Sequence, residues 1–372
     1  MPAADDLPAN AQDFRQNLLH WYEKNKRDLP WRRTSDPYAV WISETMLQQT
    51  QVATVIPYFA RWMERFPTVA VLADAPLDDI LQAWQGLGYY SRARNLHRAA
   101  KQIAETQNGV FPDSFTDVLA LPGVGRYTAG AVCSIAGGRD TPIVDANVVR
   151  VLCRVFGVLG DPKATDTQAA LWKLATDLLP PGNAGTFNQA MMELGALVCG
   201  SPPKCERCPV QSGCYAFATG APSALPQFAP KPVFTVETHV SAVVEAEDGR
   251  VCLRQRPLDA GLWAGLWELP RVVAVADESI EAAAVRAATE AGFAGGTPRN
   301  GAVARVRHGV TTRKITLLAV PVVAASDTTS PEAVWLTPAN ALETLALPSP
   351  QRRLLEQILT ARQSAATQPT LF

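Results

Sequence analysis

Four cysteines occur within sixteen residues, close enough to converge on one inorganic centre. They are spaced C-x5-C-x2-C-x5-C and are Cys199, Cys205, Cys208 and Cys214. Structural zinc usually takes two separate C-x2-C pairs, and only one such pair is present here. A single C-x2-C with wider flanking gaps suits a cubane iron–sulfur cluster held by four thiolates. We therefore predict a 4Fe–4S cluster in this loop, with zinc and disulfide bonds as the alternatives.

The composition is that of a neutral globular protein. The chain has 372 residues, 34 of them basic and 35 acidic, and a formal net charge of −1. That length is enough for two domains with hydrophobic cores. No apolar run is long enough for a membrane span, and the polar N-terminal segment lacks the layout of an export signal. Together with unpaired thiols, these features predict a reducing, cytoplasmic location. Any anionic partner must be held by local features, because net charge alone attracts none.

A proline-rich stretch divides the chain into two parts. Residues 221–233 include four prolines, which predicts an extended linker. Before it, helical periodicity dominates, as in the segment from Val69 to Leu81; after it, period-two segments flank one clear helix at 278–291. The sequence therefore predicts an all-α domain over 1–220, a smaller α+β domain over 234–363 and a flexible tail over 364–372.

A glycine-containing turn between two helical segments could bind phosphate. It contains Leu121, Pro122, Gly123, Val124 and Gly125, and a helix of small residues follows it. Two glycines flanking a valine let consecutive backbone N–H groups point outward at a helix N-terminus, which can hold a phosphate without a basic side chain. The alternative is an ordinary connection between two helices. The flanking helices favour a helix-hairpin-helix that contacts the DNA backbone.

These motifs, in this order, resemble the endonuclease III superfamily of DNA glycosylases. The LPGVG turn is followed by an aspartate in the P-x-V-D-x-N-V stretch of residues 142–148 and then by the four cysteines. Four further stretches resemble the adenine glycosylase (MutY) branch of that superfamily: residues 29–32, 43–52, 86–96 and 187–192. The resemblance runs through most of residues 12–218. It implies that the cluster is mainly structural and contacts DNA.

Two carboxyl groups acquire roles through this resemblance. Glu44 lies in an apolar helical setting, where desolvation favours its protonated form near neutral pH. Its counterpart in the family protonates N7 of adenine, which makes the base a better leaving group. The counterpart of Asp145 stays ionised and stabilises the cationic sugar. By themselves, Glu44 could be an exposed helix residue and Asp145 a helix N-cap, and capping is compatible with catalysis. Asn147, at the start of the same helix, completes this part of the predicted catalytic set.

Tyr127 bears on the reaction subtype. In the lyase members of the superfamily, a lysine at the corresponding place forms a Schiff base that leads to strand cleavage. A phenol cannot form that imine. We therefore expect a monofunctional glycosylase that removes the base and leaves the DNA backbone intact.

Reaching the base requires its extrusion from the duplex. By resemblance, Gln49 and Tyr89 contact or wedge into the duplex at the lesion. Leu47 and Arg32, beside Trp31, correspond to the pocket around the extruded adenine. The alternative for Tyr89 is an ordinary core aromatic residue. The preceding Gly-Leu-Gly turn favours exposure and hence the wedge.

The second domain resembles a Nudix-like fold, as in MutT. A Nudix hydrolase needs several glutamates for magnesium, but residues 286–292 retain only Glu290. The resemblance thus implies a domain that reads 8-oxoguanine on the opposite strand and does not hydrolyse nucleotides. The family loop usually carries Phe-Ser-His. Aligned from His308, this chain has Val310, Thr311 and Thr312 there, so that Thr311 keeps only the hydroxyl.

Taken together, the sequence predicts a monomeric adenine DNA glycosylase. Its expected partner is double-stranded DNA with adenine opposite 8-oxoguanine or guanine. The first alternative is an endonuclease III-like glycosylase and lyase for oxidised pyrimidines. Others are a catalytically silent damage binder that uses its cluster as a redox sensor and a Nudix nucleotide hydrolase.

Overall fold

A computed structural model describes residues 8–230, 233–299, 301–323 and 333–367. The chain divides into two compact units. The first comprises Met1–Asp74 with Asn95–Pro230, and the second comprises Ala75–Arg94 with Lys231–Phe372. Among the described residues, no helix is both long and apolar enough to cross a membrane.

The first unit is all-α, as the sequence predicts. Its described helices are α1 (Ala11–Asn25), α2 (Pro37–Leu47), α3 (Val52–Arg65), α4 (Val69–Asp74), α6 (Ser91–Thr106, which begins in the second unit), α7 (Phe115–Leu119), α8 (Arg126–Ile135), α9 (Ala146–Phe156), α10 (Thr165–Asp177), α11 (Ala184–Leu197) and α12 (Tyr215–Ala218). Helices α1, α9 and α11 surround a shared core. Within it, the ring of Phe14 makes edge contacts with Phe156 at 5.1 Å and Phe187 at 6.3 Å between centroids. Burying one such ring contributes about 2 kcal/mol.

Helix α9 has a defined start and end, and both matter for the site. Asp145 caps its N-terminus by accepting a hydrogen bond from the Val148 backbone N–H at 2.7 Å. Gly157 ends it with φ of 67°, in the left-handed region. A Cβ at Gly157 would lie 2.8 Å from the Tyr215 ring, so only glycine fits here.

The segment from Val69 to Leu81 is not one helix. It forms two short helices, α4 (Val69–Asp74) and α5 (Leu77–Ala83), separated at Pro76. Proline disfavours helical geometry in the residue before it, which ends α4.

Residues 75–94 belong to the second unit, although the sequence analysis placed them in the first domain. Long-range hydrogen bonds explain this. Gln255 Nε2 donates to the Asp78 carboxylate at 2.8 Å, and Gln82 Nε2 donates to the Glu343 carbonyl at 2.9 Å. Such bonds join positions more than 170 residues apart, so local periodicity gives no signal of them.

The second unit is α+β, as predicted. Its described strands are β1 (Thr235–Val244), β2 (Val251–Gln255), β3 (Trp267–Glu268), β4 (Arg271–Val273), β5 (Thr297–Pro298), β6 (Ala304–Val310), β7 (Arg313–Val323) and β8 (Ala333–Leu336). The larger sheet has the order β4-β1-β7-β5, with β6 also paired to β7, and the smaller has the order β3-β2-β8. Strand β1 runs parallel to β7 and antiparallel to β4, while β6 and β7 form an antiparallel pair.

Each face of the larger sheet has its own core. Side chains alternate between faces along a strand, so Val240 and Ala242 join the cluster with the alanine-rich helix α13 (Ile280–Glu290). Val243 and Leu317 join the opposite cluster with α15 (Ser349–Thr367). Helix α14 (Pro338–Thr344) precedes α15. Helix α15 extends through Thr367, four residues into the segment 364–372 that the sequence analysis assigned to a flexible tail; residues 368–372 lie outside the described part.

Candidate active site

A cavity of about 730 Å³ in the first unit collects most of the predicted catalytic residues. It is lined by residues of α2, the loop after α2, α8, α11 and the start of α9. Eight predicted site residues lie in this lining: Trp31, Arg32, Glu44, Leu47, Gln49, Tyr127, Asp145 and Asn147. The structure thus brings together residues separated by up to 116 positions in the sequence (147 − 31 = 116).

Glu44 is buried on α2, which rules out the alternative of an exposed helix residue. Nine consecutive residues of this helix, 38–46, are buried, and Glu44 itself is 4% exposed. The Tyr127 hydroxyl donates a hydrogen bond to Glu44 Oε2. Burial raises the pKa of Glu44 to about 7, and the nearby Asp145 carboxyl adds to the rise, against the opposing Tyr127 hydrogen bond and Arg32 charge. A carboxyl with this pKa holds its proton up to neutral pH.

Asp145 serves as the N-cap of α9 and lines the same cavity. Its Oδ1 accepts from the Val148 N–H at 2.7 Å, and its Oδ2 accepts from Asn147 Nδ2 at 2.7 Å. Burial raises its pKa, while the Val148 and Asn147 hydrogen bonds and the charge of Arg150 oppose that rise. Those donors all favour the ionised form. The two carboxyl groups therefore differ in surroundings: Glu44 receives one hydrogen bond from a phenol, and Asp145 receives hydrogen bonds from amides.

Tyr127 lies between the helices that carry the two carboxyl groups. Burial raises its pKa well above the usual value for a phenol, and the two neighbouring carboxylates raise it further. The hydroxyl therefore stays protonated and acts as a donor. Its oxygen also lies 3.3 Å from the Met192 sulfur.

The helix-hairpin-helix turn precedes Tyr127 but lies outside the lining of the cavity. Gly123 has φ of 76°, and a Cβ there would lie 2.4 Å from the Asn95 side chain, so glycine is required. Val124 is buried, whereas Gly125 is exposed and precedes α8 with open space around it. The turn therefore presents a backbone surface at a helix N-terminus.

A buried ion-pair group in the cavity wall was missed by the sequence analysis. Glu193 of α11 has a side chain 1% exposed and accepts hydrogen bonds from Arg27 Nε at 2.8 Å and Arg32 Nη2 at 2.9 Å. Burial opposes its ionisation, but the Arg27 and Arg32 hydrogen bonds prevail and lower its pKa to about 2. A glutamate at an otherwise apolar position of α11 was the available signal. Its arginine partners lie more than 160 residues away, beyond the reach of local pattern.

The other predicted residues of this cavity differ in backbone conformation, burial and contacts. Gln49 has φ of 58° in the turn after α2, a conformation rare for a residue with a side chain. Trp31 is buried and packs edge-on against Phe59 at 5.5 Å. Its neighbour Arg32 forms an ion pair with Glu193, and Leu47, the last residue of α2, lines the cavity. Gln49 is therefore presented to the cavity in a strained conformation that the surrounding turn maintains.

The four clustered cysteines line one small cavity together with Arg154. Arg154 is 2% exposed and donates to the Cys199 carbonyl at 3.0 Å and the Gly200 carbonyl at 2.7 Å. The same guanidinium lies 3.4 Å from the Cys199 sulfur. Burial raises the pKa of Cys208 to about 12, and the neighbouring thiols raise it further. All seven cysteines lie among the described residues, and none of them forms a disulfide bond there.

A chain of hydrogen bonds connects this loop with the catalytic cavity. Asn147 donates to Asp145 and accepts from Arg150 Nη2 at 2.7 Å. Arg150 in turn donates through Nε to the Cys199 carbonyl at 3.2 Å.

Among the described residues, no group of three or more His, Cys, Asp or Glu side chains is arranged to hold a single metal ion.

Tyr89, His308 and Thr311 line a separate cavity of about 320 Å³ within the second unit. Tyr89 is 50% exposed with φ of 46°, whereas its neighbour Tyr90 is buried. This exposure rules out the alternative of a core aromatic residue for Tyr89. Thr311 lies in the two-residue turn between β6 and β7 with φ of 51°.

Comparison with known proteins finds two family matches in this chain. Residues 42–177 match the family described as HhH-GPD superfamily base excision DNA repair protein, and residues 240–357 match the NUDIX domain. The solved structure of a thermostable thymine-DNA glycosylase is 31% identical with a TM-score of 0.53, over 56% of this chain and 97% of that chain.

Curated relatives share one name. The adenine DNA glycosylase of Schizosaccharomyces pombe is 34% identical over 319 aligned positions, and the match covers 70% of this chain and 69% of the yeast protein. The human adenine DNA glycosylase is 41% identical over 327 aligned positions; the match covers 73% of this chain and spans 60% of the human protein's length. The chain therefore belongs to the adenine DNA glycosylase family, with a helix-hairpin-helix repair unit followed by a Nudix-like unit.

Proposed function

We propose that this protein removes adenine from double-stranded DNA when the adenine lies opposite 8-oxoguanine or guanine, and that it leaves an abasic site. One observation carries the proposal: a cavity of about 730 Å³, large enough to admit a base, holds a carboxyl group with a pKa of about 7 beside a second carboxyl that accepts amide hydrogen bonds. Family membership supports the choice of adenine.

Glu44 acts as the general acid. Its proton moves to a ring nitrogen of the extruded adenine, N7 by family resemblance, and the electron pair of the breaking C1′–N9 bond leaves with the neutral base. The pKa of about 7 suits this role because the group carries a proton at neutral pH and releases it readily.

Asp145 stabilises the cationic sugar that remains. Its carboxylate needs no proton transfer for this purpose, and the donors from Val148 and Asn147 orient it and favour its ionised form against the effect of burial. A water oxygen then bonds to C1′ and loses a proton, which restores the proton that Glu44 gave up. Neither redox change nor covalent attachment is required for this balance.

The Glu193 group sets the charge of the cavity wall. Two arginines beside a base that becomes protonated would oppose the reaction. The ionised Glu193 carboxylate binds both guanidinium groups and offsets part of this repulsion. We assign Arg27 and Glu193 to the binding site on this basis, next to Arg32, Trp31 and Leu47.

Strand cleavage is outside the proposed reaction. No lysine is among the described residues that line the cavity, and Tyr127, which occupies the place of the lyase amine, keeps its phenolic proton. An imine with the sugar therefore has no amine donor in the wall. This argues against the endonuclease III-like alternative.

The four cysteines fit a 4Fe–4S cluster. The four cysteines line one small cavity, and the buried Arg154 supplies positive charge beside Cys199, which suits a centre carrying thiolates. When bound, the cluster would cross-link the loop of residues 199–214 through its four cysteines. Loss of visible absorption and of iron in Cys208→Ser, with both retained in Cys133→Ser, would support this assignment; equal iron in the two variants would overturn it.

We further propose that residues 1–220 and 234–363 act as the catalytic and the lesion-reading parts of a cytoplasmic monomer. His308 and Thr311 of the second part, together with Tyr89, face the base opposite the adenine. The shortage of glutamates around Glu290, which pairs with Arg286 at 3.4 Å, supports a reader and not a nucleotide hydrolase.

Base release from matched duplexes tests the function. Under enzyme excess, adenine should leave duplexes in which it faces 8-oxoguanine or guanine, with little release when it faces thymine. Glu44→Gln should abolish release while leaving binding largely intact. Release of an oxidised pyrimidine, or a covalent adduct trapped by borohydride, would instead favour the lyase alternative, and binding without any release would favour a silent damage binder.

A further inference from the structure

Three strained residues converge on the cavity of about 320 Å³ in the second unit. Tyr89, Trp263 and Thr311 all line it, and all have left-handed backbone conformations, with φ of 46°, 54° and 51°. Aromatic and β-branched residues rarely adopt this conformation, because their side chains make it energetically unfavourable. Such strain is retained where the surrounding structure enforces it, and it concentrates at binding sites. Trp263 was not singled out by the sequence analysis.

The loop that carries Trp263 is held from both sides. Arg256 Nε donates to the Leu262 carbonyl at 2.7 Å, and Arg94 Nη1 donates to the Ala264 carbonyl at 2.7 Å. The carbonyls on either side of Trp263 are therefore fixed by charged donors. This arrangement orders the loop before any ligand arrives, so binding need not supply that ordering.

The indole ring itself is also positioned. The Arg271 guanidinium lies 5.1 Å from the centroid of the Trp263 ring, within cation–π range. Arg271 is 5% exposed and donates to Glu268 at 2.9 Å, so it is itself immobile. The His308 ring lies 6.2 Å from the indole between centroids, with an interplanar angle of 48°. Trp263 is only partly buried and keeps surface open to the cavity.

The chemistry of the cavity matches a flat heterocycle that carries no positive charge. Its described lining combines the rings of Tyr89, Trp263 and His308 with the Thr311 hydroxyl, contains no carboxylate and includes one cation, Arg94, which donates to the Ala264 carbonyl. Burial lowers the pKa of His308, and the charge of Arg353 lowers it further, so the imidazole is neutral. Arg353 Nη2 lies 3.3 Å from His308 Nδ1 and donates to it, which leaves Nε2 as the protonated nitrogen. Donors, acceptors and aromatic faces in this combination recognise a nucleobase.

We propose that Trp263 is a specificity-determining residue whose indole stacks on the base opposite the excised adenine. The stacked base then presents its edge to Thr311 and to the His308 Nε2–H. This inference rests on the proposed function. 8-Oxoguanine carries an oxygen at C8 and a proton at N7, whereas guanine presents an acceptor at N7. A base held by the indole with that edge toward a donor and a hydroxyl can be told apart from guanine.

Two substitutions separate the effect of the aromatic ring from the effect of side-chain volume. Trp263→Leu retains apolar volume and removes the stacking face, whereas Trp263→Phe retains an aromatic face. Stacking of one base on an aromatic ring corresponds to about tenfold or more in affinity. Trp335→Phe is the matched control, because Trp335 packs against Phe293 in the core at 5.7 Å and lies outside the cavity lining.

The readout is the preference for 8-oxoguanine over guanine, measured as a ratio of dissociation constants. The duplexes carry 2′-fluoro-2′-deoxyadenosine, which resists cleavage, opposite either base. Trp263→Leu should weaken binding of the 8-oxoguanine duplex about tenfold or more and lower the ratio, because the base edge is then no longer held against Thr311 and His308, while Trp263→Phe and Trp335→Phe should stay within about twofold of the wild-type ratio. An unchanged ratio in Trp263→Leu, or an equal fall in Trp335→Phe, would overturn the assignment. Adenine release by the wild-type protein tests the proposed function separately, since that rate is measured on cleavable DNA.

Discussion

Replacing Glu44 by glutamine should remove the part of the pH dependence of the unfolding free energy that comes from the buried Glu44 carboxyl group. The folded protein holds the Glu44 proton more tightly than the unfolded chain, because burial raises the pKa from 4.5 to about 7. This contribution to stability is complete below about pH 4.5 and is lost as pH rises through about 7. Glutamine has nearly the same shape but cannot ionise, so the variant lacks this loss.

The size of the effect follows from the pKa. One pKa unit corresponds to about 1.4 kcal/mol. Between about pH 5.5 and pH 8.5, a carboxyl with a folded pKa of about 7 loses about 2 kcal/mol of stability through this linkage. The difference in unfolding free energy between Glu44→Gln and wild type should therefore grow by about 2 kcal/mol over that range, in favour of the variant. Its sign at low pH depends on how well the amide accepts the Tyr127 hydrogen bond.

Urea unfolding at a series of pH values measures this difference. Glu64→Gln is the matched control, because Glu64 is an exposed glutamate on α3, and its unfolding free energy should differ from wild type by a constant amount. A constant difference for Glu44→Gln across the same range would mean that Glu44 titrates like an exposed carboxyl. The reasoning that links its burial to its role as an acid would then be refuted.

Three further substitutions probe the site. Asp145→Asn should lower adenine release about 100-fold or more in a single-turnover assay, yet change the melting temperature little, because asparagine also caps helices; near-normal release would remove Asp145 from the mechanism. Glu193→Gln should cost about 2 kcal/mol in urea unfolding, because it weakens the binding of Arg27 and Arg32, with the 34% exposure of the Arg27 side chain reducing the penalty of a fully buried pair. Thr311→Gly should raise stability by about 1 kcal/mol, because glycine accepts the left-handed turn, and should lower the preference for 8-oxoguanine; a lower melting temperature would contradict this.

The sequence predicted those features that local pattern or chemistry determines. The change from helical to alternating periodicity near residues 221–233 gave the all-α and α+β order. The apolar setting of Glu44 indicated its burial, and Asp145 before a helix indicated the cap. The family resemblance supplied the grouping of these residues with Tyr127, which no spacing rule could give.

Local sequence pattern gave no prediction of the features that depend on contacts between distant segments. The ion-pair group of Glu193 joins α11 to residues near the N-terminus, so its partners are unknown until the helices pack. The backbone strain at Trp263 likewise cannot be predicted from the sequence, because nothing in the Gly-Leu-Trp run requires a left-handed backbone conformation at the tryptophan. Residues 75–94 were assigned by their helical pattern, whereas hydrogen bonds to distant segments place them in the second unit.

The central claim is that a protonated carboxyl at position 44 drives departure of the base. The most direct test is the rate of adenine release by the wild-type protein under single-turnover conditions, across about pH 5.5 to 8.5, on a duplex with adenine opposite 8-oxoguanine. The rate should fall as pH rises through about 7, where Glu44 loses its proton. A rate that stays constant or increases through that range would contradict the mechanism.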